Sequence, residues 1–305
     1  MKHLQPAIAM FTGTAGNRLV ADVFGDTGRP VLLLHGGGQT RHAWSKTAIS
    51  LARTGWLACA LDQRGHGDSQ WIEDSAYDWT DFAADVRSIA AELTRRAGGL
   101  RPVAIGASLG GVASMLAVAE TEALARKPVF SALVLVDITP RVDRDGVVKI
   151  QTFMRARAAE GFGSIEEAAD AVAQYLPHRP RPRSHEGLKK NLRQAADGRW
   201  RWHWDPSFLE GRRSVSADHI EIETATTQAA RRITIPTLLV RGGSSELVQE
   251  EHLKEFLSLV PHAEYVDVTG ARHMVAGDQN DQFAAAILDF LGKLEKQPVA
   301  DALAR

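Results

Sequence analysis

Gly106-Ala107-Ser108-Leu109-Gly110 follows a short apolar run, Pro102 to Ile105, and opens a small-residue stretch that reads as a helix ending near Ala125. A strand that turns sharply into a helix brings backbone segments close together, and a β-carbon at either glycine position would clash. The pattern G-x-S-x-G in that strand–turn–helix context, with Gly111 behind it, marks Ser108 as a candidate nucleophile rather than part of a chance turn. It stands above a strand end, at the positive end of the helix that begins there.

The remaining pattern agrees with such a turn. Short apolar runs at Pro30 to Leu34, Leu57 to Leu61, Ser131 to Val136 and Pro236 to Val240 read as strands buried on both faces of a parallel sheet. Arg18 to Phe24 and Glu264 to Val268 read as further strands. Helices are expected over 42 to 54, Trp79 to Arg96, Val248 to Leu259 and Asp278 to Leu294. Strands alternating with helices predict an α/β fold, a mainly parallel sheet with helices on both faces. From Asp137 to about Arg232 no clear buried strand appears, and a Pro/Arg-rich piece, Pro177 to Arg183, breaks an otherwise helical reading. The expected organisation is a core of 1–139 and 231–305 with a helical insertion at 140–230.

A serine hydroxyl needs a base to take its proton. Of eleven histidines, His273 is the candidate: it follows the last predicted strand and precedes the closing helix, on the same sheet edge as Ser108. The base needs an acid to hold its tautomer. Glu246, on the loop after Pro236 to Val240, is preferred because it keeps the order Ser, acid, His. Asp137, at the end of Ser131 to Val136, is the rival. An oxyanion hole needs two backbone N–H donors. Leu109 supplies one, and Gly37 in the loop His35-Gly36-Gly37-Gly38 is chosen for the other. That glycine loop has neither dinucleotide spacing nor a P-loop lysine, so phosphate binding is not expected.

Together these residues resemble the α/β-hydrolase superfamily. His35 to Trp44 looks like its oxyanion loop, and Asp62-Gln63-Arg64-Gly65-His66-Gly67-Asp68-Ser69 looks like its D-x-R-G-x-G-x-S turn, which is structural in many members. The closest resemblance is to the capped group of small esterases, C–C bond hydrolases and non-haem perhydrolases; Ser108 disfavours the relatives that use an aspartate nucleophile. The resemblance implies a serine hydrolase acting on a small ester, lactone or related carbonyl through an acyl-enzyme. A perhydrolase or lyase on the same triad and a non-catalytic ligand-binding relative are the alternatives. Glu246 departs from the pattern, where relatives usually carry aspartate.

The resemblance makes 140–230 a cap that shapes the pocket. Trp202 and Trp204, in Trp200-Arg201-Trp202-His203-Trp204, are candidate pocket walls or packing between cap and core. Trp44 and Arg41 are candidate pocket residues as well, Arg41 as a partner for a substrate carboxylate. The net charge of −1 gives no reason to expect nucleic acid or an anionic membrane as partner. A single cysteine, Cys59, predicts no internal disulfide and an inert buried thiol. No cofactor or metal is expected, no signal peptide or membrane span is read, and the setting is taken as cytoplasmic; a homo-oligomer is left open.

Overall fold

The computed structural model describes residues 5–123, 127–179, 184–216, 219–275 and 280–296. The strands are β1 (Ala7–Thr12), β2 (Arg18–Phe24), β3 (Pro30–Leu34), β4 (Leu57–Leu61), β5 (Val103–Ala107), β6 (Ala132–Val136), β7 (Leu192–Gln194), β8 (Trp200–Trp202), β9 (Thr237–Gly242) and β10 (Glu264–Val268). The helices are α1 (Ser45–Arg53), α2 (Trp79–Arg96), α3 (Leu109–Ala123), α4 (Arg144–Arg155), α5 (Ile165–Tyr175), α6 (Glu186–Lys189), α7 (Ser207–Glu210), α8 (His219–Ala230), α9 (Glu250–Leu259) and α10 (Asn280–Lys296). The helix end expected at Ala125, the start expected at Asp278 and residues 180–183 of the Pro/Arg-rich piece lie outside the described residues.

Eight strands form one sheet in the order β1-β2-β4-β3-β5-β6-β9-β10. β1 pairs antiparallel with β2 and β2 with β4, and every other pairing is parallel. The apolar runs are continuous because both faces are covered. Leu32 and Leu34 join the core layer that holds α2 and α3, while Val31 and Leu33 join the layer that holds α1 and α10. From β4 the chain returns across β3 to add β5 on its other side, so strand order reverses at the β3–β5 gap. Ligand sites in open α/β sheets form beyond the carboxyl ends of strands at such a switch point.

The segment between β6 and β9 holds α4 to α8, but it also contains an antiparallel hairpin, β7 with β8, that the helical expectation omitted. Three-residue strands are too short to show a period of two. The segment is bonded to the Asp62–Ser69 turn and the loop after it: Gly67 N–H donates to the His203 carbonyl at 2.7 Å, and the Tyr77 hydroxyl donates to Asp205 at 2.6 Å. Within that turn Arg64, 1% exposed, reaches Asp85 Oδ2 at 2.8 Å, the Ala76 carbonyl at 3.0 Å and Thr14 Oγ1 at 3.1 Å. One guanidinium thus joins the β1–β2 turn, α2 and the loop before it.

Removing one partner of a buried pair leaves the other charge unmatched. Arg64→Leu is expected to lower stability by about 3–5 kcal/mol, read as a lower urea midpoint, and a midpoint equal to wild type would contradict the assignment.

Candidate active site

The turn after β5 is as tight as the sequence implies. A β-carbon on Gly106 would lie 2.4 Å from the Gly110 carbonyl oxygen, and one on Gly110 2.5 Å from the Leu34 carbonyl oxygen. Ser108 itself has φ +45°, the left-handed region that costs a side-chain-bearing residue of order 1–2 kcal/mol. Register explains its neighbours. Gly106 pairs with Leu34 and Ala107 with Val136, so Ser108 stands one residue past the sheet, beside the ends of β3 and β6.

The residue past the end of β6 is Asp137, fully buried, also left-handed at φ +49°. Its N–H donates to the Val240 carbonyl at 2.8 Å, and its Oδ1 accepts from Gly242 N–H at 2.9 Å. Oδ2 accepts from Ser245 Oγ at 2.6 Å and lies 2.8 Å from His273 Nδ1. A carboxylate only accepts, so Nδ1 carries the proton and Nε2 is left as the basic nitrogen. Ser108 and His273 line the same cavity.

The expected pairing of His273 with Glu246 is therefore corrected to Asp137. Among the described residues no hydrogen bond joins Glu246 to His273, and Glu246 Oε2 is buried without a partner. Glu246 instead lies near Tyr175, whose hydroxyl is pushed up to about 12 by burial and by the Glu246 charge. On the loop after β9 it is Ser245, a residue the sequence reading passed over, that faces the pair. Ser245 Oγ accepts from Leu247 and Val248 N–H at 3.0 and 3.1 Å, so its one proton goes to Asp137.

The glycine loop after β3 has two of its three donors engaged. Gly36 N–H donates to Gln39 Oε1 at 3.1 Å and Gly38 N–H to His66 Nε2 at 3.1 Å. Among the described residues the Gly37 and Leu109 N–H groups have no hydrogen-bond partner, and both residues line the cavity beside Ser108. His35 underpins the loop: Nδ1 bonds the Gly36 carbonyl at 2.8 Å, and Nε2 accepts from Gln63 N–H at 3.1 Å. Burial holds both imidazoles neutral, His35 lowered to about 4 and His66 to about 3. The anchoring role of His66 was not foreseen; its signal was the D-x-R-G-x-G-x-S turn itself.

Two expected pocket residues are elsewhere. Arg41, 6% exposed, is held by Asp22 at 2.8 Å, Asp68 at 2.7 Å and Asp62, and does not line the main cavity. Burial alone would lower its pKa, but these three carboxylates raise it above the ordinary arginine value. Trp44, 2% exposed, packs on Phe283 with ring centroids 5.9 Å apart, in the layer with α1 and α10. Trp202 and Trp204 do line the cavity, and they also pack, Trp202 edge-on to Phe162 and Trp204 edge-on to Phe208. Trp79 lines it too, unforeseen. Cys59 is fully buried, and burial pushes its thiol up to about 12.

The cavity measures about 620 Å³. Three helical faces line it, each at i, i+3, i+4, i+7 spacing: Val147, Ile150, Gln151 and Met154 of α4; Ala169, Val172, Ala173 and, one residue past the helix, Leu176 of α5; His219, Ile222, Glu223 and Thr226 of α8. Among the described residues no cluster of His, Cys, Asp and Glu could hold a metal ion, and no helix is long and apolar enough to cross a membrane.

The family described as serine aminopeptidase, S33 (Hydrolase_4) matches residues 26–280. Esterase Rv0045c of Mycobacterium tuberculosis is 29% identical over 261 residues, covering 84% of this chain and 80% of that protein. The sn-1-specific diacylglycerol lipase ABHD11 of Mus musculus is 28% identical over 283 residues, covering 88% and 82%. The crystal structure of E-2-(acetamidomethylene)succinate hydrolase superimposes with a TM-score of 0.78 at 23% identity, covering 94% of this chain and 100% of that one. The fold is that of the α/β-hydrolases.

The two neutral imidazoles make stability pH-dependent. Unfolded histidine takes up a proton near 6.5, whereas folded His35 does so only near about 4 and His66 near about 3. Below 6.5 the unfolded chain binds more protons, so this contribution is complete above 6.5 and is lost as pH falls through about 4 for His35 and about 3 for His66. Urea midpoints measured from neutral pH downward should fall across that window, and His66→Phe should flatten the fall; an unchanged slope in that variant would refute the assignment.

Proposed function

Because the chain belongs to the serine aminopeptidase, S33 (Hydrolase_4) family of α/β-hydrolases, we propose that it is a serine hydrolase that cleaves a carboxylic ester through Ser108, His273 and Asp137. The observation that carries this reading is the 2.8 Å contact between His273 Nδ1 and the buried Asp137 carboxylate, at the strand end next to Ser108. Ser108 Oγ attacks the carbonyl carbon while His273 Nε2 takes its proton. The charge that develops on the carbonyl oxygen is met by the Gly37 and Leu109 N–H groups, the two donors left without partners. The intermediate collapses, the alcohol leaves with the proton from His273, and an acyl group remains on Ser108. Water, deprotonated by His273, then attacks the acyl carbon and frees the acid.

The segment 140–230 acts in this reading as a cap: its helical faces close the cavity over Ser108. Asp137 keeps the imidazole in the working tautomer and stabilises the imidazolium that forms. Glu246 has no role in proton transfer.

Turnover of a nitrophenyl ester and labelling by a fluorophosphonate probe are expected to vanish in Ser108→Ala. Asp137→Asn should lower kcat by on the order of 10³-fold or more, the scale seen when a triad acid becomes its amide, whereas Glu246→Gln should change it by less than about tenfold. The reverse ranking would return the acid to Glu246, and unchanged turnover in Ser108→Ala would end the serine-hydrolase reading.

A further inference from the structure

Amphipathic helices bury an apolar face against protein. In the inserted segment, α4 and α5 turn such faces to a cavity of about 620 Å³, and α8 adds Ile222 to its lining. From this geometry we infer that the substrate is an ester of a long unbranched aliphatic acid, whose chain lies along α4; the inference rests on the Ser108 hydrolase reading above.

The course of the chain follows from fixed points on α4. At one end Met154 abuts the oxyanion loop: a β-carbon on Gly38 would lie 2.8 Å from Met154 Cε. Val147, on the same helical face, stands seven residues earlier, about 10 Å along the axis at 1.5 Å per residue. Two arginine side chains of α4 reach α8 and the residues just before it. Arg144 donates to Glu223 at 3.4 Å, and Arg155, at the other end of α4, to Ser216 just before α8 at 3.2 Å. Val148 of α4 and Ile220 of α8 are 58% and 68% exposed. Val148 also lines the cavity, so its apolar lining reaches from the Ser108 end out to an exposed aliphatic residue of α4.

Two arginines and a histidine along this surface are already engaged. Arg144 pairs with Glu223, His185 with Glu166 at 3.5 Å, and Arg179 donates to the Met274 carbonyl at 3.4 Å. An uncharged chain is the ligand that such a lining matches; a short dicarboxylate would leave its second carboxylate against valine and isoleucine, at a desolvation cost.

The test is kcat/KM for nitrophenyl butanoate, octanoate and dodecanoate, with the half-ester of a short dicarboxylic acid beside them. A buried methylene is worth about fourfold, so octanoate should exceed butanoate by at least about tenfold if only part of that is realised. Val147→Trp, which places a bulky ring toward the outer end of the course, should cut dodecanoate turnover more than that of butanoate and move the optimum to shorter chains. A flat or falling series in the wild type, a preference for the dicarboxylate half-ester, or an optimum unmoved by Val147→Trp would overturn the inference while leaving the hydrolase reading intact. Absence of turnover on every ester together with absence of probe labelling at Ser108 would instead sink both.

Discussion

The carboxylate of Asp137 sits fully buried with no cation beside it in its hydrogen-bond set, and three donors from two other loops meet it. A bare carboxylate in that position would be prohibitively desolvated. Gly242 N–H, Ser245 Oγ–H and His273 Nδ1–H offset that cost, and charge-assisted bonds of this kind contribute about 1.5–3 kcal/mol each. The arrangement ties the end of β6 to the end of β9 and to the loop after β10. It also settles the backbone. Asp137 adopts a left-handed conformation because its N–H is drawn to Val240 while its side chain turns back into the gap between strands. Ser245 removes the remaining freedom, since accepting two backbone N–H groups leaves its single proton one direction to go.

A second polar arrangement mirrors it beneath the glycine loop. Gln39 and His66 engage the N–H groups on either side of Gly37, so the loop is held open around one free donor. His35 and His66 perform this as neutral rings, with centroids 5.1 Å apart, because burial disfavours the charged form of each. A protonated ring would have no lone pair for Gly38 or Gln63. Below them Asp62 accepts from the Arg41 and Asp68 N–H groups and pairs with the Arg41 guanidinium, so Arg41 is a brace for the loop and faces three carboxylates of the chain itself.

The inserted segment joins these supports to the cavity. Its hairpin places Trp202 on the wall, and the chain beyond brings Trp204 beside His66, so the tryptophans both pack and line. Gly146 lets α4 seat against the loop after β9: a β-carbon there would lie 2.4 Å from the Glu246 carbonyl oxygen. Glu246 thus contributes through its backbone, close to the site that its side chain does not enter.

The buried strands, the turn at Ser108 and the position of His273 were legible in the sequence because each rests on local chemistry: continuous apolar runs, a Gly-x-Ser-x-Gly turn that excludes β-carbons, and a loop that follows a recognisable strand. Even Gly37 was within reach, as the middle of a glycine loop at a strand end. The partner of His273 was not. Asp137 and Glu246 both follow strands at the same sheet edge, and only strand order decides which carboxylate comes within 2.8 Å of a histidine 136 residues away. Arg41 and Trp44 failed for the same reason, since adjacency to the glycine loop in sequence does not say which layer a side chain enters. The spacing of α4 and α5 announces amphipathic helices, but whether their apolar faces close into a solid core or around a space depends on how far apart the fold holds them. The sequence by itself determined the tight turn that carries Ser108 and the sheet that lifts it; the tertiary structure alone decided which carboxylate meets His273 and where the cavity lies, because both are set by distances between segments that no local pattern encodes.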